Sequence, residues 1–225
     1  MADPSRDDFD SPWKEALERY FPEFVALFFP RIHAAVAWVR GHVFLDKELQ
    51  QVVRDAELGR RYADKLVQVY THEGAEAWVL IHVEVQGEPE RGFAERMYVY
   101  HYRLFDRYRV DVVSLAVLAD ETSSFRPREY RRGRWGCQVV FRFPMAKVRH
   151  WRNRWAKLEA SPNRFALVVM AHLKAQESKD GLTRKGWKLR LVRLMYQRGY
   201  AREDILELFR VIDWLLRQPE DLERE

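Results

Sequence analysis

Apolar residues recur every three or four positions at both ends of the chain and every second position in its middle, so the pattern predicts helical ends around a region of strands. Asp10-Ser11-Pro12 reads as a helix start, and Trp13, Ala16, Leu17 and Tyr20 follow at helical spacing. Beyond Pro22 and Pro30 the stripe continues through Phe24, Leu27, Phe28, Ile32, Ala35, Val36 and Val39 to a stop at Gly41, which predicts a core-packing helical unit. Phe44 to Gly59 fits either a polar helix or an extended loop. From Tyr62 to Tyr70 the period is two, and it is two again from Trp78 to Gln86, with a polar turn between them around Gly74; this predicts a hairpin. Phe93, Met97, Tyr100 and Leu104 then mark a helix to about Tyr108, and the apolar run Val112 to Ala119 predicts a strand buried on both faces. A helix between strands implies an α/β sheet. Gln138 to Phe143 is a further short strand ended by Pro144, and three helices are expected within Trp151–Leu158, Pro162–Gln176 and Trp187–Arg198. The apolar face of Ile205, Leu208, Phe209, Ile212, Leu215 and Leu216 closes the series as core or as a self-association face.

The 225 residues are 47% hydrophobic and 32% charged, which excludes wholesale disorder and suits a soluble globular chain. The longest stretch free of Asp, Glu, Lys and Arg is Phe165 to Leu173, far short of the ~18 residues that span a bilayer, so no membrane partner is expected. The acidic start Met-Ala-Asp-Pro-Ser-Arg-Asp-Asp is unlike a secretory signal, and the single Cys137, expected to be a buried small hydrophobe, has no disulfide partner in the chain. A cytoplasmic location is the expectation.

The net charge of +5 hides a segregation. Residues 126 to 200 carry 20 Lys+Arg against 4 Asp+Glu, a net of +16, and the rest carries 19 against 30, a net of −11. Such a basic region suits a polyanion, nucleic acid being the commonest, although solvated helix faces explain arginines equally well.

Chemistry concentrates on the predicted hairpin. With the turn centred on Gly74, Asp64 directly opposes Glu84, Leu66 opposes His82, and Gln86 shares their face, while Val67, Val69, Val79, Ile81, Val83 and Val85 take the other face into the core. Directly opposed carboxylates repel each other unless a cation neutralises them. Oxygen ligands without Cys or paired His favour Mg²⁺ or Mn²⁺ over Zn²⁺, and such an ion suits phosphodiester hydrolysis. His82, on the same face, is either a substrate contact or a hydrogen-bonded structural histidine.

Asp64 followed some twenty residues later by Val83-Glu84-Val85-Gln86 resembles the D…(D/E)XK signature of the PD-(D/E)XK phosphodiesterase superfamily in an E-X-Q form. With Phe44-Leu45-Asp46-Lys47-Glu48-Leu49 upstream and Arg96-Met-Tyr-Val-Tyr-His-Tyr-Arg-Leu-Phe downstream, it resembles the Rpn-type, recombination-promoting nuclease and transposase-like branch, over roughly Pro12 to Pro144. The resemblance implies a restriction-endonuclease-like core, a mixed central sheet flanked by helices, over residues 1–145. A basic C-terminal helical extension over 146–225 would pack on it. It implies Mg- (or Mn-) dependent DNA cleavage with Asp64 and Glu84 as metal ligands, the Val85 carbonyl as a third oxygen, and Gln86 at the usual lysine position. Glu48 would be an acidic residue on the preceding helix, with a solvated helix charge as its alternative. Gln86 forms hydrogen bonds but brings no point charge, so a non-catalytic nucleic-acid-binding or regulatory protein on a degenerate nuclease fold is the alternative. RNA in place of DNA is not distinguished, and cutting both strands of a duplex admits a homodimer.

The basic region then has a role. Lys147, Arg149, Arg152, Arg154 and Lys157 would follow a phosphate backbone, as would Arg184, Lys185, Lys188, Arg190 and Arg193. Trp151 and Trp155, interleaved with the first group, are expected to pack rather than to stack on bases.

Overall fold

The alternation that predicts a hairpin forms one, and further strands extend it into a mixed α/β sheet. A computed structural model describes residues 10–55, 63–84 and 92–217, with the backbone alone at 10, 11, 53–55, 63, 64 and 82–84. Among the described residues there are seven strands: β1 (Val43–Phe44), β2 (Ala63–Tyr70), β3 (Glu76–Glu84), β4 (Asp111–Leu118), β5 (Glu129–Arg134), β6 (Cys137–Arg142) and β7 (Met145–Lys147). The central sheet has the order β1-β2-β3-β4-β7, while β5 and β6 pair only with each other. β1, β2 and β3 are antiparallel neighbours; β3, β4 and β7 run parallel. The parallel step from β3 to β4 needs a crossover, and a helix, here Phe93–Tyr108, makes it.

The helices, in chain order, are α1 (Asp10–Arg19), α2 (Phe21–Phe28), α3 (Pro30–Ala35), α4 (Asp46–Asp55), α5 (Phe93–Tyr108), α6 (Trp155–Ala160), α7 (Phe165–Glu177), α8 (Gly181–Gln197) and α9 (Arg202–Leu215). Over Asp46–Asp55, α4 resolves the ambiguity of the 44–59 segment in favour of a helix, and 56–59 lie outside the described residues. It lays Leu49 and Val52 on Leu66 and Leu80, and Tyr100 and Leu104 of α5 join the same cluster. Burying side chains of this size stabilises by roughly 1.5–3 kcal/mol each. The even-numbered hairpin face, expected to be polar, is therefore helix-covered where Leu66, Trp78 and Leu80 stand. Val67, Val69, Val79 and Ile81 on the other face are buried as expected. The N-terminal stripe is interrupted: α3 buries no residue, Val36 just beyond it is buried as expected, and Val39 is 99% exposed.

Two compact units divide the chain. One runs from Phe28 to Lys147 and contains the sheet with α3, α4 and α5. The other joins the described residues up to Leu27 to those from Val148 on, so it takes in N-terminal helices that the resemblance grouped with the sheet in 1–145. Packing explains the union. Phe165 to Leu173, the longest uncharged stretch, is the buried first two turns of α7. Onto it Trp13 packs at 5.5 Å and Phe24 at 5.2 Å between ring centroids with Phe165, and the Trp13 indole donates to His172 Nδ1 at 3.3 Å. Arg164 bridges Glu23 of α2 and Asp204 of α9. None of the described helices is long and apolar enough to cross a membrane.

Candidate functional site

The hairpin register corrects the expected pairing. Tyr70 opposes Glu76, Leu66 opposes Leu80 and Asp64 opposes His82, so Asp64 and Glu84 are not directly across from each other. The reason lies in the turn. The Thr71 amide donates to Ala75 and the Gly74 amide donates to Thr71, and Gly74, with φ +90°, ends a three-residue loop instead of occupying its centre. The shift amounts to two residues, an even number, so positions 64 and 84 keep the same strand parity and become diagonal neighbours. In a diagonal relation the separation is roughly 7–8 Å, compared with about 5 Å for a direct pair.

The same registers carry these positions to one end of the sheet. Val83 pairs with Ala63 on one side and Val117 on the other, Glu84 pairs with Leu118, and Leu118 pairs with Lys147. Position 84 thus stands at the carboxyl end of the parallel strands β3, β4 and β7, where open α/β sheets receive their ligands. The side chains of Asp64, His82 and Glu84 lie outside the described residues, as do Val85 and Gln86 altogether. Glu48 is described: it is half-buried in the first turn of α4, the helix that packs on Leu66 and Leu80. One residue after Asp64, Lys65 turns to the other face and donates to Asp46 at 3.2 Å. Among the described residues no group of three or more His, Cys, Asp or Glu is placed to hold a metal ion.

Several basic residues prove to be engaged within the protein. Lys147 does not face solvent: its amine is buried and donates to both oxygens of Asp120, at 2.8 and 2.6 Å, and to the Phe125 carbonyl. It is a structural ion pair at the ends of β4 and β7 and cannot reach a phosphate without breaking it. Arg152 pairs with Glu177, Arg184 donates to the carbonyls of Ser178 and Arg217, Lys188 pairs with Asp213 and Arg190 with Glu159. Arg149 is half-buried, whereas Arg154, Lys157, Lys185 and Arg193 are exposed. Trp155 packs at 5.5 Å against Trp187, with the Lys174 amine 4.3 Å from its ring, in keeping with a packing role.

Cys137, expected to be buried, is exposed. It sits on an element that the hydrophobic pattern concealed, the β5–β6 ribbon. Tyr130 stacks on Tyr98 of α5 at 5.1 Å and its hydroxyl donates to Glu95; Phe141 lies 4.6 Å from the His101 ring. Burial holds the His101 pKa below its ordinary 6.5, while bonds from Arg142 and Arg131 hold Glu129 below the usual carboxylate range. Glu129 is the one acid among six arginines from Arg126 to Arg142, and that density of charge was the available signal.

Compared with family models, with curated proteins and with solved structures, the chain matches none.

Proposed function

We propose that the chain is a divalent-metal-dependent phosphodiesterase that cuts DNA, built on a restriction-endonuclease-like version of its mixed sheet. The observation that carries this reading is the register. It gives the two acidic positions 64 and 84 one parity, two residues out of direct opposition, at the carboxyl end of β3. The donor set fits a hard cation: two carboxylates from Asp64 and Glu84 and the Val85 carbonyl, with Glu48 on the helix that covers the same hairpin face. When bound, Mg²⁺ or Mn²⁺ supplies a Lewis acid for a phosphoryl oxygen and a water of lowered pKa. Gln86 orients water through its amide, donating and accepting hydrogen bonds where a lysine would add charge. Of the basic positions expected to follow a phosphate backbone, Arg154, Lys157, Lys185 and Arg193 are exposed on the helical unit.

Supercoiled plasmid incubated with the protein and Mg²⁺ or Mn²⁺ provides the test. Nicking is expected with the wild type and is expected to fall to background in Asp64→Ala and Glu84→Ala; no nicking by wild type, or equal nicking by both variants, rejects the reading. Binding by the same plasmid without cleavage would instead favour the regulatory alternative.

A further inference from the structure

The β5–β6 ribbon breaks two rules of stable hairpins at once. Every residue from Arg131 to Val140 is exposed, so neither face is buried beyond the anchoring Tyr130 and Phe141. Its two-residue turn places Trp135 at φ +53° and Gly136 at φ +85°, the type I′ geometry that Asn-Gly satisfies. A bulky aromatic in the left-handed region is an outlier, and this one is 95% exposed, with the Arg134 guanidinium 5.5 Å over its ring. Departures of this kind point to function.

Charge indicates the partner. From Arg126 to Arg142 the sequence holds six arginines and one glutamate, a net +5 equal to that of the whole chain. The cross-strand pairs divide them between two faces. Glu129 with Arg142 and Arg131 with Val140 occupy one face, and there the single acid is spent on its two arginines. Arg132 with Val139 and Arg134 with Cys137 occupy the other, beside Tyr130, and there Arg132 approaches Glu95 of α5 only to 4.0 Å. That second face and Tyr98 line an open groove of about 630 Å³. Tyr98 and Tyr130 stand near-parallel in its lining at an interplanar angle of 19°, and Tyr102, outside the lining, stacks on Tyr98 at 21°. Two arginines two residues apart, roughly 6.6 Å along a strand, flank aromatic rings and an outstretched indole. Cations that track a backbone beside aromatic platforms are the means by which single strands are bound without reading sequence.

We propose that the ribbon binds a single-stranded nucleic acid, with phosphates on Arg132 and Arg134 and a base stacked on Trp135. None of these residues belongs to the strands of the proposed hydrolytic site, and binding measured in EDTA separates this inference from cleavage.

The test uses the full chain with fluorescein-labelled dT20, rU20 and a 20-base-pair duplex, read by anisotropy across salt concentrations. Tighter binding of either single strand than of the duplex is expected, the tighter of the two identifying the sugar. Trp135→Asn suits the turn, so its melting temperature should equal or exceed that of wild type while its affinity falls at least about fivefold, the lower end of base–aromatic stacking. Arg132→Gln with Arg134→Gln should reduce the slope of log affinity against log salt by about 1.4, two phosphates at ~0.7 each. Preference for the duplex, absence of binding, unchanged affinity in Trp135→Asn, or a change of oligomeric state in that variant in place of lost binding would overturn the proposal.

Discussion

Asp120 and Lys147 bury opposite charges beside the last pair of β4 and β7, with side chains 3% and 0% exposed. Asp120 also accepts from the Thr122 amide, which fixes the turn that leaves β4. A buried pair of this kind adds little over an apolar substitute, but removing one partner strands the other charge, at a cost of about 3–5 kcal/mol. Asp120→Ala is therefore expected to lose most of that amount in urea unfolding, and Asp120→Leu combined with Lys147→Met to recover much of it. A second residue gives a pH signature. His101, bonded to Ser114 at 3.2 Å, is held below its ordinary pKa of 6.5 by burial. Below pH 6.5 the unfolded chain takes up a proton that the folded chain resists, so stability falls with pH until the folded value is passed; above 6.5 both states are neutral and the term vanishes. His101→Gln should show a smaller drop in melting temperature between pH 7 and pH 5 than wild type.

At the scale of elements, the ribbon depends on close approach of its strands at Gly133. A Cβ there would stand 2.7 Å from the Cys137 carbonyl oxygen and 2.8 Å from the Gln138 Cβ, neither the end of a flexible chain. Gly133→Ala should part the strands and raise amide hydrogen exchange across 131–140, while β2 and β3 keep their protection. The ribbon also marks where the sequence was hard to read. Period-two alternation reveals a strand when at least one face is buried, as in β2 and β3; Glu129–Arg134 has no buried face, so the pattern does not show its pairing, although its partner around Gln138 is legible. β1 and β7, of two and three residues, are too short to show a period. The acidic hairpin itself was legible, but its register was not. A left-handed glycine serves equally at the middle of a two-residue turn or at the end of a three-residue loop, and Gly74 takes the second place. A one-dimensional charge count places Lys147 among the phosphate contacts because it does not include Asp120, twenty-seven residues away.

Over the whole molecule, the segregation of +16 from −11 is reduced by folding, because acids from outside the basic segment return to it. Asp120 meets Lys147, Glu23 and Asp204 meet Arg164, and Asp213 meets Lys188, each within its own unit. The partly exposed pairs among them, such as Lys188 with Asp213, are worth about 0–1 kcal/mol, yet they place the cation where a phosphate must compete with a carboxylate. Equal formal charges should then contribute unequally to nucleic-acid binding. Lys188→Gln with Arg190→Gln removes as much charge as Arg132→Gln with Arg134→Gln, but from residues bonded to Asp213 and Glu159 at 2.7 and 2.6 Å. Counterion release counts phosphates contacted and not charges in the formula, so the first pair should leave the single-strand salt slope unchanged while the second lowers it. If long-range attraction by the net charge drove binding, both pairs would weaken affinity alike at low salt and converge at high salt. A local site instead keeps the two variants apart, since the slope records which arginines touch the strand.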